Sequence, residues 1–212
     1  MIFQAKGLLF DNDGVLVNSM GSVDGSWGKW AEIYAPDFQI DYSHHGRPAR
    51  DIVRSVLPEE LFDEAYAKIN QLELDLTHLT SPMPGAIELV TSLPAGKWTV
   101  VTSASPDLAK GRLTAAGLPV PAELVTAYDI ENGKPAPDPY LKGAEKLGLR
   151  TSECIVFEDA PSGVKAGIAA GCRVIGIGAE VMESHAEIVI GTLEGISFSD
   201  NVLTIPEHIR LR

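Results

Sequence analysis

Four apolar runs, each ending at or beside a polar or small residue, most constrain what this chain can become. Gly7-Leu8-Leu9-Phe10, Trp98-Thr99-Val100-Val101-Thr102, Cys154-Ile155-Val156-Phe157-Glu158 and Arg173-Val174-Ile175-Gly176 read as strands buried on both faces. Helical patterns with recognisable starts separate the later three: Ser105 before Pro106, Asp138 before Pro139, and Ser162 before an alanine-rich run that stops at Gly171. Strand and helix in alternation predict an α/β chain with a doubly wound, Rossmann-like parallel sheet.

The first interval breaks the pattern, because roughly eighty residues separate Phe10 from Trp98, far more than one crossover helix needs. Val23, Trp27, Trp30, Ala31 and Tyr34 recur there at helical spacing, and further helical patterns cover Pro48 to Leu57 and Glu59 to Leu76. The expectation is a small α-helical cap over residues 15–82, inserted after the first strand. The core is then 1–14 and 83–212, joined to the cap by linkers of which the second carries Ser81-Pro82-Met83-Pro84-Gly85. The aromatic stripe reads as the cap's core rather than a ligand platform.

Charge narrows the partners. Seventeen basic against twenty-nine acidic residues leave a formal charge of −12, which repels phosphate backbones and anionic lipid, so neither nucleic acid nor a membrane is an expected partner. An anionic small substrate needs a local cation to offset that field. Cys154 and Cys172 lack metal-type spacing and read as two buried thiols, which with no signal-peptide layout predicts a cytoplasmic protein; a monomer is the simplest expectation.

In an open α/β sheet, ligands bind beyond the carboxyl ends of the strands. The polar residues there are Asp11-Asn12-Asp13-Gly14, Thr102-Ser103-Ala104-Ser105 and Glu158-Asp159, with Lys134-Pro135 in a loop. Seen singly, each is a turn, a helix cap or a solvated charge. Gathered at one edge, Asp11, Asp13, Glu158 and Asp159 would repel one another unless a cation sat among them. Oxygen ligands with positions left for water and a phosphoryl group suit Mg²⁺. Lys134, the Thr102 hydroxyl and the backbone N–H groups near Ser103 are then placed to bind phosphate oxygens.

Phe10-Asp11-Asn12-Asp13-Gly14-Val15, Val100-Val101-Thr102-Ser103, Gly133-Lys134-Pro135 and Val156-Phe157-Glu158-Asp159-Ala160 resemble, in order, the four motifs of the haloacid dehalogenase superfamily, in its β-phosphoglucomutase-like subgroup. The resemblance implies that Asp11 is a nucleophile forming an aspartyl-phosphate and Asp13 the general acid and then base. It implies Mg²⁺ held by Asp11, the Asp13 carbonyl, Glu158 and Asp159, and a phosphoryl group bound by Thr102, Ser103 and Lys134. Asn12, Val15 and Asn18 depart from the usual residues without removing a reacting group. Mutases of this subgroup commonly carry a cap histidine where this chain has Val23, and an arginine where it has Ala49, with Arg47 and Arg50 nearby as candidates to replace it. A hydrolase is therefore expected, with a phosphosugar mutase as the alternative. The motif surroundings resemble sugar- and polyol-phosphate phosphatases, including glycerol-3-phosphatases, and place His44, His45, Gly46 and Arg47 as cap candidates for substrate contact. Two other classes fit poorly: a receiver module has no such insertion, and a two-carboxylate glycosidase leaves Lys134 and residues 158–159 without roles.

Overall fold

The computed structural model describes residues 1–41, 44 and 47–212. The chain opens with β1 (Ile2–Gln4), β2 (Gly7–Phe10) and β3 (Val17–Asn18), then leaves for helices α1 (Met20–Tyr34), α2 (Ala49–Val56) and α3 (Phe62–Asp75). It returns through β4 (Ser81–Pro82) and runs on as α4 (Ala86–Ser92), β5 (Trp98–Val101), α5 (Pro106–Ala115), β6 (Leu124–Val125), α6 (Asp138–Lys146), β7 (Cys154–Glu158), α7 (Pro161–Ala169) and β8 (Arg173–Ile177). Strands β9 (Ile188–Ile190), β10 (Ser197–Ser199) and β11 (Val202–Thr204) complete it.

The expected parallel sheet is present, six strands in the order β6-β5-β2-β7-β8-β9. Strand alternation sorts its side chains. Leu8, Phe10, Val100, Ile155 and Phe157 pack on one face against Leu89 of α4 and Leu113 of α5. Leu9, Val101 and Val156 pack on the other against Tyr140 and Ala144 of α6 and Val164 of α7. Phe10 stacks on Phe157 with ring centroids 4.8 Å apart. Each such side chain contributes at most about 1.5–3 kcal/mol by leaving water.

Phe10 lies level with both Val100 and Phe157, so the carboxyl ends of β2, β5 and β7 open at one height. From β2 the order runs outward through β5 to β6 and, on the other side, through β7 to β9, which places the switch in direction at this edge. Beyond what the pattern predicted, β1, β11 and β10 form a small antiparallel sheet whose Phe3, Phe198 and Leu203 extend the apolar core.

The three helices after β3 have their own apolar cluster, built on Trp27, Trp30, Ile52, Val53, Ala65 and Ile69. The aromatic stripe is core, as its spacing predicts: Trp27 and Trp30 meet edge to face at 5.2 Å, and Trp30 Nε1 donates to the Ala65 carbonyl at 2.8 Å. Val15, Leu16 and Val17 pack in the main core instead, so the packing changes over after Val17, not at residue 15. Val17 and Asn18 pair with Pro82 and Ser81, tying the two connecting segments side by side.

Two helix starts differ from the sequence reading. Asp138 is already helical behind Pro137, and α7 begins at Pro161, because proline's fixed φ suits the first turn. Cys154 and Cys172 are free and buried, their thiols pushed up to about 11 and about 12 by burial. Among the described residues no helix is long and apolar enough to cross a membrane.

Candidate active site

Asp11 follows β2 directly, its N–H donating to the Phe157 carbonyl at 3.0 Å. The next residues close on themselves: Leu16 and Val17 donate to the Asn12 carbonyl, and Gly14 donates to that of Val17. Gly14 has φ +80°, and a Cβ there would lie 1.9 Å from Asp159 Oδ2, so only glycine lets this turn and the β7 loop meet. Gly163 in α7 does the same for Glu158, whose Oε1 would lie 1.7 Å from a Cβ.

Beneath the turn lies a buried charge cluster. Lys134, preceding a cis proline, donates through Nζ to both Asp11 Oδ1 and Glu158 Oε1. Tyr140 donates to the same Glu158 oxygen at 2.7 Å, and the Ala160 N–H donates to Oε2 at 3.0 Å. Asp11, Glu158 and Asp159 each bring one carboxylate oxygen within 4.8 Å of the others. Three carboxylates face one ammonium, and the titration follows. Burial pushes Asp11 up to about 7, with Lys134 opposing and Glu158 and Asp13 adding to the rise. Burial, Glu158 and Asp11 likewise hold Asp159 well above the carboxylate range. Lys134 would be lowered by burial, but Asp11 and Glu158 hold it above its ordinary value. A donor set of oxygens short of positive charge fits a hard divalent cation such as Mg²⁺, with Asp11 and Asp159 best placed to hold it because Glu158 is already engaged at both oxygens.

Above this cluster is a cavity of about 420 Å³. Asp11, Asp13, Thr102, Ser103 and Asp159 line its floor, while Trp27, Tyr66, Asn70 and Glu73 of the helical layer face them. Thr102 is buried, and its Oγ1 accepts from the Ala104 N–H at 3.1 Å, which fixes the turn leading into α5. Lys134 and Glu158 lie behind the floor rather than on it. The Asp13 carboxylate stands apart from the three-carboxylate group, with its Oδ1 3.0 Å from Arg112 Nη1. Arg112 Nη2 in turn donates to Glu73 Oε1 at 3.1 Å. Of the cap candidates, His44 and Arg47 line the cavity, whereas His45 and Gly46 lie outside the described residues. His44 pairs with Asp41 at 2.9 Å.

Sequence reasoning missed Tyr140, Arg112 and Glu73. Two of these carried a signal: Arg112 shares the buried face of α5 with Leu108, Ala109 and Leu113, and Glu73 that of α3 with Ala65, Ile69 and Leu72. A charge at an apolar helical position needs a partner.

The chain matches the haloacid dehalogenase-like hydrolase family over residues 5–171. It belongs to that family. It is 39% identical to hexitol phosphatase A of Escherichia coli, over 92% of this chain and 94% of that protein. It is 33% identical to glycerol-1-phosphate phosphohydrolase 2 of Saccharomyces cerevisiae, over 91% and 84%. Among solved structures, a putative β-phosphoglucomutase from Bacteroides vulgatus superposes with a TM-score of 0.75 at 29% identity, over 90% of this chain and 85% of that one. In this member of the haloacid dehalogenase-like hydrolases both polar atoms of Asn12 are buried without a hydrogen-bond partner among the described residues. An unpaired buried amide costs about 1–3 kcal/mol. Asn12→Leu is therefore expected to raise the melting temperature in calorimetry by about 2–12 °C, at about 2–4 °C per kcal/mol for a chain this size.

Proposed function

We propose that this chain is a Mg²⁺-dependent phosphatase of small sugar or polyol phosphate monoesters, working through an aspartyl-phosphate on Asp11. The observation that carries this reading is the meeting of Asp11, Asp13, Thr102 and Asp159 on one cavity floor, over the buried Lys134–Glu158 pair. Phosphate monoester hydrolysis requires up to about 10²¹-fold acceleration, far beyond the about 10²–10⁴-fold of general acid-base help alone. Charge compensation and a covalent intermediate supply the remainder.

In the first step an Asp11 Oδ forms a bond to phosphorus while the bond from phosphorus to the ester oxygen breaks. Asp13 gives that oxygen its proton and the alcohol leaves. In the second step a water oxygen bonds to phosphorus as Asp13 takes a water proton, the Asp11–phosphorus bond breaks, and inorganic phosphate is released. Thr102 and the backbone at Ser103, before the N-terminus of the ten-residue α5, hold phosphoryl oxygens. Lys134, from beneath, favours the ionised form of Asp11 and orients it. A bound Mg²⁺ neutralises charge on the phosphoryl oxygens, and Asp11, Asp159 and the Asp13 carbonyl, with Glu158 behind them, are the residues that would hold it.

The facing wall supports a hydroxyl-bearing substrate over a second phosphate. Tyr66 and Asn70 offer neutral hydrogen-bonding groups, Glu73 is a carboxylate, Arg112 is occupied by two carboxylates, and Arg47 is left as the wall's cation not paired with a carboxylate among the described residues. That wall, and the residues standing at positions 23 and 49, favour a phosphatase over a mutase. The names of the polyol- and glycerol-phosphate relatives agree with this choice.

The test is phosphate release from glycerol, hexitol, deoxyhexose, hexose and glycolate phosphates. Isomerised sugar phosphate with little free phosphate would establish the mutase instead. Treatment with a chelator is expected to lower the rate at least about 10²-fold, as loss of a principal electrostatic stabiliser does, with Mg²⁺ restoring it. Full activity without divalent metal would remove the metal from the mechanism.

A further inference from the structure

Arg112 and Glu73 have no role in the chemistry described so far, yet they are the most deeply buried ion pair outside the Lys134 cluster among the described residues. Arg112 is 3% exposed and Glu73 6%. Their helices belong to different layers, α5 to the core and α3 to the cap. The close approach has a local cause: a Cβ on Gly111 would lie 3.2 Å from Thr77 Cγ2, so the glycine beside Arg112 lets the turn after α3 settle against α5. Arg112 Nε is buried without a partner among the described residues, and the guanidinium works through its two terminal nitrogens. Nη1 faces Asp13 and Nη2 faces Glu73.

A pair serving stability alone needs one carboxylate; here the second is the proposed acid. We propose that Arg112 is a positioning residue for the proton-transferring carboxylate of Asp13, and that Glu73 holds Arg112 in that role from the cap. The inference rests on the phosphatase reading. When Asp13 gives its proton to the departing oxygen, its carboxylate becomes anionic beside a guanidinium already 3.0 Å away, whose opposite charge attracts it and holds it in place. Glu73 fixes the other end of the guanidinium, so the acid is in register only while the cap helix is docked.

Leaving groups separate this role from a structural one. Glycerol phosphate expels a basic alkoxide that needs the proton, whereas p-nitrophenyl phosphate expels a stable phenolate that does not. The comparison is made on kcat/KM, which reports phosphoryl transfer to Asp11 and excludes the later attack of water. Arg112→Lys and the near-isosteric Glu73→Gln are expected to lower kcat/KM for glycerol phosphate by about 10–100-fold and for p-nitrophenyl phosphate by less than about threefold, a share of the ~10²–10⁴ from general acid catalysis. In an Asp13→Asn background, Arg112→Lys is expected to have no further effect on kcat/KM. Equal losses on both esters, no loss on either, or an undiminished effect in that background would overturn the proposal while leaving the phosphatase intact. Wild-type protein that releases phosphate from neither ester would instead overturn the phosphatase reading. Should Arg112→Lys fail to fold, Glu73→Gln, which keeps the shape and a hydrogen-bond acceptor, decides in the Asp13→Asn background, where no further effect on kcat/KM is expected and a persisting loss would overturn the proposal.

Discussion

Asp11→Asn is expected to abolish phosphate release and, in metal-free protein, to raise the melting temperature at neutral pH. The loss of activity should be about 10⁴-fold or more, the scale seen when an enzyme loses its nucleophile, because the amide cannot form the acyl phosphate. The gain in stability follows from crowding. Asp11 shares a buried site with Glu158 and Asp159, and burial, with Lys134 opposing and Glu158 adding, raises it from its ordinary 3.8 to about 7. Its folded value lies above its unfolded one, so the stability associated with it is full below about pH 4 and is lost as pH rises through about 7. Thermal unfolding of metal-free wild type across that window should show a falling melting temperature, and Asp11→Asn should flatten it. Added Mg²⁺ should reverse the fall in wild type by binding the ionised carboxylates. A melting profile identical in the two proteins would remove the crowding argument; residual wild-type turnover would remove the nucleophile.

The parts of this site visible in the sequence are those tied to strand ends. A run such as Cys154-Ile155-Val156-Phe157, short and followed by a polar pair, reads as an interior strand, so the Glu158-Asp159 that closes it emerges at the sheet edge, as Asp11 does after Phe10. What lies across the chain was less legible. Period and spacing mark Arg112 as a charge on a buried face, but not that its partners come from a turn about a hundred residues earlier and a helix in another layer. Tyr140 lies in α6, five residues past the Lys134-Pro135 motif, and its hydroxyl contact with Glu158 depends on how α6 packs against β2 and β5. The small sheet of β1, β10 and β11 escaped because three-residue strands such as Ile2-Phe3-Gln4, buried at one position only, give too short an alternation to distinguish from loop. Val15 to Val17 read as the start of the cap because they follow the polar turn Asp11-Asn12-Asp13-Gly14; their apolar side chains follow the core instead.

Lys134→Met separates the two functions of the buried ammonium, since methionine keeps most of its volume and removes its charge and donors. Lys134 is the shared partner of Asp11 and Glu158, and its side chain is 1% exposed, so no water can replace it. Removing one partner of a buried ionic cluster costs about 3–5 kcal/mol, which for a chain of this size is a fall of about 6–20 °C in melting temperature. Catalysis should fall about 10²–10³-fold through loss of a preorganised charge beside the proposed nucleophile. The diagnostic outcome is the response to Mg²⁺. A divalent cation and the ammonium compensate the same carboxylates, so the variant, left with three unneutralised acids, should gain more melting temperature from saturating Mg²⁺ than wild type does. The rate should stay low even then, because Asp11 has lost the donor that orients it from below. An equal Mg²⁺ shift in both proteins would mean that the lysine and the cation do not share one electrostatic site, and recovery of full activity by Mg²⁺ would mean that Lys134 contributes charge alone.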